Sequence, residues 1–195
     1  MEYVIIYGHP TKQGHNGAFL EAVTKSLDER KADYKVIDLY KENFDPRLSK
    51  EELYTQGGKK ISTQIKSYQK LVDDTTKLIF IYPVWWAGAP SIVKGFFDKL
   101  LTPRFGYYFK PLAFNQGYPV ALFKDKRALV FLTSTSQKVL YSFFSGRRAH
   151  KQIKKDLLGF VGIKSKVYHL DMCLKLDDWQ RGRINKYVKK GLNWL

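Results

Sequence analysis

The chain of 195 residues has a single cysteine, Cys173, which excludes an internal disulfide and a zinc site built from four cysteines. No apolar run approaches the roughly 18 residues of a membrane span, and no charged-then-apolar leader follows Met1. A soluble cytoplasmic protein is therefore expected. Internal repeats, low-complexity tracts and Pro/Gly/Ser linkers are also missing. At 22.8 kDa, with 44% hydrophobic and 27% charged residues, the chain suits one globular domain over residues 1–195. Negative charge is scarce: 18 Asp and Glu face 34 Lys and Arg, a formal net charge of +16. The imbalance is local. Residues 1–97 carry 14 basic and 12 acidic side chains, residues 98–195 carry 20 and 6. An anionic partner acting on the second half follows, and nucleic acid, an acidic membrane surface or a phosphate-bearing small molecule would each serve.

What is present is alternation. Tyr3 to Tyr7 is an apolar run ending at Gly8, the pattern of a strand buried on both faces. Asn16 is a candidate cap for a helix with Leu20, Val23 and Leu27 on its inner face. Tyr34 to Leu39 reads as a strand, and Ile61, Ile65, Tyr68 and Val72 recur at helical spacing. Leu78 to Tyr82 is the most apolar strand, stopped by Pro83. A helix with Pro90 in its first position would bury Val93, Phe96, Phe97 and Leu100. Ala128 to Leu132 is a fourth strand, followed by a basic helix over about 147–158 with Ile153 and Leu157 inward. Ser165 to Leu170 is the fifth strand, and a helix from about Asp178 would bury Trp179, Ile184 and Val188. Strands alternating with helices in this way specify an α/β doubly wound parallel sheet of five strands, order 2-1-3-4-5, with helices on both faces. Ligands of such sheets sit beyond the carboxyl ends of the strands.

That rule selects three loops. The first, Gly8 to Gly17, offers His9, His15 and three glycines at a helix start, where backbone N–H groups can meet a phosphate. It is not GxGxxG and lacks the GK[ST] of a nucleotide-triphosphate loop, which disfavours a dinucleotide fold of that kind and an ATPase. The plainer alternative is a polar connection with two surface histidines. The second loop, Pro83-Val84-Trp85-Trp86-Ala87-Gly88-Ala89-Pro90, has two adjacent tryptophans that cannot both enter one core. One is expected to line a flat aromatic cavity beside the small residues and the other to pack in the core; alternatively both pack beneath the next helix. In the third, Thr133, Ser134, Thr135 and Ser136 are donors at a ligand end or an ordinary polar turn. The basic cluster after Arg147 is a ligand contact or a solvated helix face.

The second loop with Ile92 to Lys99 resembles the flavin-contacting segment of the NAD(P)H:quinone oxidoreductase/modulator of drug activity B family. The likeness extends to Phe105-Gly106-Tyr107-Tyr108, to Asp38-Leu39-Tyr40 with Asn43 to Pro46, and to His9 with His15 to Ala18. It implies a flavodoxin-like fold forming one flavin-binding domain. By the resemblance, His9, His15, Asn16 and Ala18 meet the phosphate or ribityl chain. Pro83, Val84, Trp85, Trp86 and Ala87 lie along the isoalloxazine; Thr133 to Ser136 and Tyr141 hold its pyrimidine end. Tyr107 and Tyr108 match substrate-pocket aromatics, often shared across a homodimer.

The activity so implied is oxidation of NADH or NADPH and two-electron reduction of a quinone or similar acceptor, in ping-pong order. FMN is the expected flavin and FAD the alternative, since the chain lacks the C-terminal extension of mammalian members. Tyr141 and Arg147 are the candidate catalytic residues. Arg147 stands where mammalian members carry a histidine; it supplies charge to a reduced flavin but no proton. No metal-ligand cluster competes for these loops, and no nucleic-acid motif accompanies the charge. Two other readings are an ancillary or regulatory subunit of a membrane transporter, with a peripheral membrane partner, and an electron-transfer flavoprotein; carriers of this fold are typically acidic.

Overall fold

The computed structural model describes residues 1–54, 61–111, 117–137, 143 and 145–195. In chain order the elements are β1 (Tyr3–Tyr7), α1 (Gly14–Glu29), β2 (Tyr34–Asp38), α2 (Thr63–Asp73), β3 (Lys77–Pro83), α3 (Ser91–Leu100), β4 (Tyr107–Pro111), β5 (Gly117–Ala121) and β6 (Arg127–Thr133). There follow α4 (Arg148–Lys151), which continues into π-helical turns over Gln152–Gly159, then β7 (Lys164–Leu170) and α5 (Asp178–Leu192). Five strands form a parallel sheet in the order β2-β1-β3-β6-β7, the arrangement expected from sequence. The antiparallel hairpin β4-β5, between α3 and β6, is an addition that alternation alone did not foresee.

Strand side chains alternate between two cores. Along β3, Leu78, Phe80 and Tyr82 face the layer of α2, α3 and α4, whereas Ile79 and Ile81 face α1 and α5. Burial on both sides explains why β1 and β3 are apolar without interruption. Pro83 belongs to β3 as its last paired residue and does not stand just beyond it. Its neighbour β1 stops at Tyr7, level with Ile81, so on that side no partner awaits the N–H that proline lacks.

Near the helix starts three residues sit otherwise than in the sequence reading, although the last helix does begin at Asp178. Asn16 is not a cap: α1 begins at Gly14, and Asn16 is buried in its first turn. Pro90 is the residue before α3, in extended conformation, instead of its first helical residue. Trp179 is 59% exposed, with the Arg183 guanidinium 4.7 Å from its ring centre, because Asp177 caps α5 and turns Gln180 inward. In the basic helix Ile153 and Leu158 are buried and Leu157 half-buried, a rotation produced by the π-helical turns.

Among the described residues one lysine is enclosed. Lys126 is 3% exposed, and its Nζ donates to the carbonyls of Asp73 (3.1 Å) and Thr75 (2.7 Å) over the Phe123 ring. It thereby satisfies the end of α2 and the approach to β3. Lys126→Met should keep the packing and lose both bonds, lowering unfolding free energy by about 1.5–3 kcal/mol. Urea denaturation checks this; a parental midpoint would show that water replaces the amine.

Candidate functional site

Beyond the carboxyl ends of β1, β3 and β6 lie two adjoining clefts that share Val84, Trp85, Ser134 and Thr135. The first, about 460 Å³, is lined by His9, residues 13–16, 83–85 and 133–135, Cys173 and Leu174. The second, about 420 Å³, adds Trp86, Ala87, Ser136 and Ser145. A further cleft of about 490 Å³ lies beside α2 and α3, away from these strand ends, where Lys99 and Glu52 pair at 3.2 Å.

The first cleft is floored by a tightly folded loop. Gly14 has φ +78°, and a Cβ on Gly17 would lie 1.6 Å from the Lys12 carbonyl oxygen, so the loop can close on α1 only with glycine there. Tyr7 Oη donates to the Thr11 carbonyl at 2.7 Å, and His9 Nδ1 is 2.7 Å from the same oxygen. Gln13, which precedes α1, gives no side-chain cap, so the opening N–H groups of a 16-residue helix are left to something else. His15 is buried in that turn and its Nε2 has no hydrogen-bond partner. Burial pushes its pKa below the ordinary value, against a backbone hydrogen bond at Lys175 and the charge of Asp177. An anion is the natural complement of such a turn.

Asn16 Nδ2 donates to Thr133 Oγ1 at 3.0 Å, which ties the start of α1 to the end of β6. Ala18, two residues further, packs in the core and lines neither cleft.

The wall of the second cleft is a two-residue turn. Trp85 and Gly88 exchange both backbone hydrogen bonds at 3.0 Å, leaving Trp86 (φ 50°) and Ala87 (φ 61°) in the left-handed region. Gln152 Oε1, from the helix after α4, accepts from Ala89 N at 3.3 Å and supports this turn. The two tryptophans differ, though not as expected. Trp85 is 43% exposed and lines both clefts; Trp86 is 103% exposed, so neither is a core residue. The tight turn leaves Trp86 in solvent at the rim of the second cleft.

Among the hydroxyl residues, Thr133 is buried, Ser134 is half-buried, and Thr135 and Ser136 are exposed on the cleft wall. Cys173, absent from the sequence-derived site, lines the first cleft. Burial raises its thiol to about 11, so it is protonated and unreactive at neutral pH. Nothing in a lone cysteine distinguishes it; the chain brings it there by a Cys173 N to Ser134 O hydrogen bond. Arg147 is exposed in the left-handed conformation heading α4, two residues after Ser145. Tyr141 lies outside the described residues. Tyr107 and Tyr108 sit on β4, away from both clefts, with Tyr107 packed edge-on to Phe109 and Phe160. No group of three or more His, Cys, Asp or Glu is placed to hold a metal among the described residues.

The family model described as flavodoxin-like fold matches residues 1–170. The chain belongs to that family. Two curated relatives of this flavodoxin-like chain are each 28% identical to it. One is an uncharacterized NAD(P)H oxidoreductase of Haemophilus influenzae, aligned over 97% of this chain and 94% of its own. The other, NAD(P)H dehydrogenase [quinone] 1 of Cavia porcellus, aligns over 71% of this chain, which spans only 55% of that longer protein. Among solved structures, NAD(P)H:quinone oxidoreductase from Methanothermobacter marburgensis superposes with TM-score 0.80 at 26% identity, covering 100% of this chain and 96% of its own.

Trp85→Ala should weaken binding of a planar aromatic ligand in the clefts by roughly 1–3 kcal/mol, the scale of ring stacking. Trp86→Ala should leave stability within about 0.5 kcal/mol of the parent, as for an exposed side chain. Isothermal titration with FMN and thermal unfolding of both variants check the pair; a large loss of stability in Trp86→Ala would contradict its exposure.

Proposed function

We propose that this protein is a flavin-dependent NAD(P)H:quinone oxidoreductase, one flavin-binding domain over residues 1–195 that takes two electrons from NADH or NADPH and passes them to a quinone in ping-pong order. The observation that carries the reading is the joining of an uncapped helix start and the orphaned, buried His15 Nε2 to a cleft walled by Trp85. One end suits a phosphate and the other a planar ring, and the cleft volumes suit a mononucleotide better than a small anion. The names of the relatives supply the reaction class. None of the three is named as a carrier or a transporter subunit, so the ancillary and electron-carrier readings gain nothing.

The residues present fit such a group. The first turn of α1, with His9 and His15, would hold the phosphate; Asn16 and Ala18 would brace that turn from within. Residues 83–87 would lie along the ring, and Ser134, Thr135 and Ser136 would offer hydroxyls to its polar edge. The flavin, when bound, supplies hydride acceptance from the nicotinamide and electron delivery to the acceptor. The protein's part is orientation, a dry wall at Trp85, and charge. Arg147 acts by charge alone, since a guanidinium does not give up its proton at neutral pH. Tyr141 completes the polar end in this reading. Fully exposed Trp86 and the hairpin that carries Tyr107 and Tyr108, with Tyr108 exposed, are proposed to be covered in a homodimer, each cleft being completed by the neighbouring subunit. FMN is the proposed flavin. No helix among the described residues is long and apolar enough to cross a membrane.

The purified protein should be yellow. Heat release and chromatography should yield FMN, and NADH or NADPH oxidation should require a quinone. A colourless protein that binds neither FMN nor FAD at micromolar concentration would end the flavin reading. A fixed cation favours the redox state with more negative charge, the reduced one. Arg147→Ala should therefore lower the flavin potential, by about 30 mV if the interaction amounts to ~1.4 kcal/mol for this two-electron couple. Redox titration measures it, and an unchanged potential would place Arg147 away from the ring.

A further inference from the structure

His169, on β7, was not singled out by any sequence motif. It is 2% exposed, and its Nε2 lies 2.8 Å from Ser134 Oγ. Ser134 is the first residue beyond β6 and lines both clefts. Its backbone is pinned on both sides: Ser134 N donates to the Leu170 carbonyl at 3.0 Å, and Cys173 N donates to the Ser134 carbonyl at 2.9 Å. The imidazole is equally confined. The His150 ring from α4 lies against it, with centroids 5.0 Å apart and planes at 51°, and both rings are buried. What is left free is the hydroxyl hydrogen.

Only one hydrogen fits between Nε2 and Oγ, so two arrangements exist. When Nε2 carries the proton it donates to Oγ, and the hydroxyl hydrogen points elsewhere, to the Ser136 carbonyl at 3.2 Å or into the cleft. When Nε2 is bare the hydroxyl donates to it, and Oγ presents only lone pairs to the cleft. The histidine tautomer thus converts one serine between donor and acceptor, without moving a heavy atom.

We propose that His169 is a positioning residue that sets whether Ser134 meets the ligand as hydrogen-bond donor or acceptor. The ligand edge it suits alternates carbonyl and N–H groups, as the polar edge of a flavin ring does; to that extent the proposal rests on the flavin reading above. A plain polar turn would need no buried histidine behind its serine. His150 serves as the wall that holds the ring in plane.

FMN retention by the full-length protein, measured by ultrafiltration, tests this, with unfolding curves for each variant. Ser134→Ala and His169→Asn, whose amide falls short of the Nε2 position, should each weaken FMN by about three- to tenfold, the scale of one hydrogen bond. Their combination should be no weaker than either alone, because both remove the same contact. His169→Gln, which reaches the Nε2 position, should recover most of the affinity. A ring ¹⁵N spectrum gives an independent reading: Ser134→Ala should change the His169 tautomer balance, and this decides the matter if His169→Asn does not fold. Parental affinity in folded His169→Asn, multiplicative losses, no rescue by Gln, or an unchanged ring spectrum would each overturn the role of His169 while leaving the flavin reading intact. Failure of the unsubstituted protein to retain FMN would overturn both.

Discussion

Burial of the central strands on both faces is the constraint from which the rest follows. With β1, β3 and β6 packed under α1 and α5 on one side and α2, α3 and α4 on the other, side chains in mid-sheet have no access to solvent. Polar chemistry is confined to where the strands stop. Because the sheet is parallel, the carboxyl ends of β1, β3 and β6 lie at one edge of it, and their three loops converge whatever their length. The staggered ends matter as well: β3 and β6 run two residues beyond β1, so Pro83 and Thr133 form a ledge over the start of α1.

Strain and unmet polar groups collect at that ledge. Left-handed backbone at Trp86 and Ala87 costs on the order of 1 kcal/mol for each residue. The paired Trp85–Gly88 hydrogen bonds and the Gln152 contact hold the turn against that cost. Burial shifts His15 toward its neutral form, beside helix N–H groups that its N-cap residue Gln13 leaves without a side-chain cap. A fold optimised for stability alone would relieve each of these; their concentration around two adjoining clefts marks where binding energy is to be gained. The opposite treatment of Lys126, enclosed but given two carbonyl acceptors, shows that the fold satisfies a buried charge when it serves structure.

The strand order was legible because two-sided burial writes itself as uninterrupted apolar runs, and the helices between them leave few right-handed ways to wind. The three loops were legible for the same reason, since order dictates which ends converge. The β4–β5 hairpin was not: large apolar side chains are exposed on both of its sides, Tyr108 and Tyr118 on one and Phe109 on the other, where alternation expects polar residues on one of them.

The sequence by itself determined the sheet, its order, and the residue types gathered at its carboxyl edge, because these depend on periodicity along the chain. Only the tertiary structure decided which side chain faces what. Asn16 turned out to bind Thr133 across 117 residues, and Trp86 to leave the fold on a turn that its neighbours' hydrogen bonds impose. His169 meets Ser134 because β7 lies beside β6 in parallel register, and Cys173 joins them through the chain's next turn. Such pairings depend on distances between segments far apart in sequence, and no local pattern of residues encodes them.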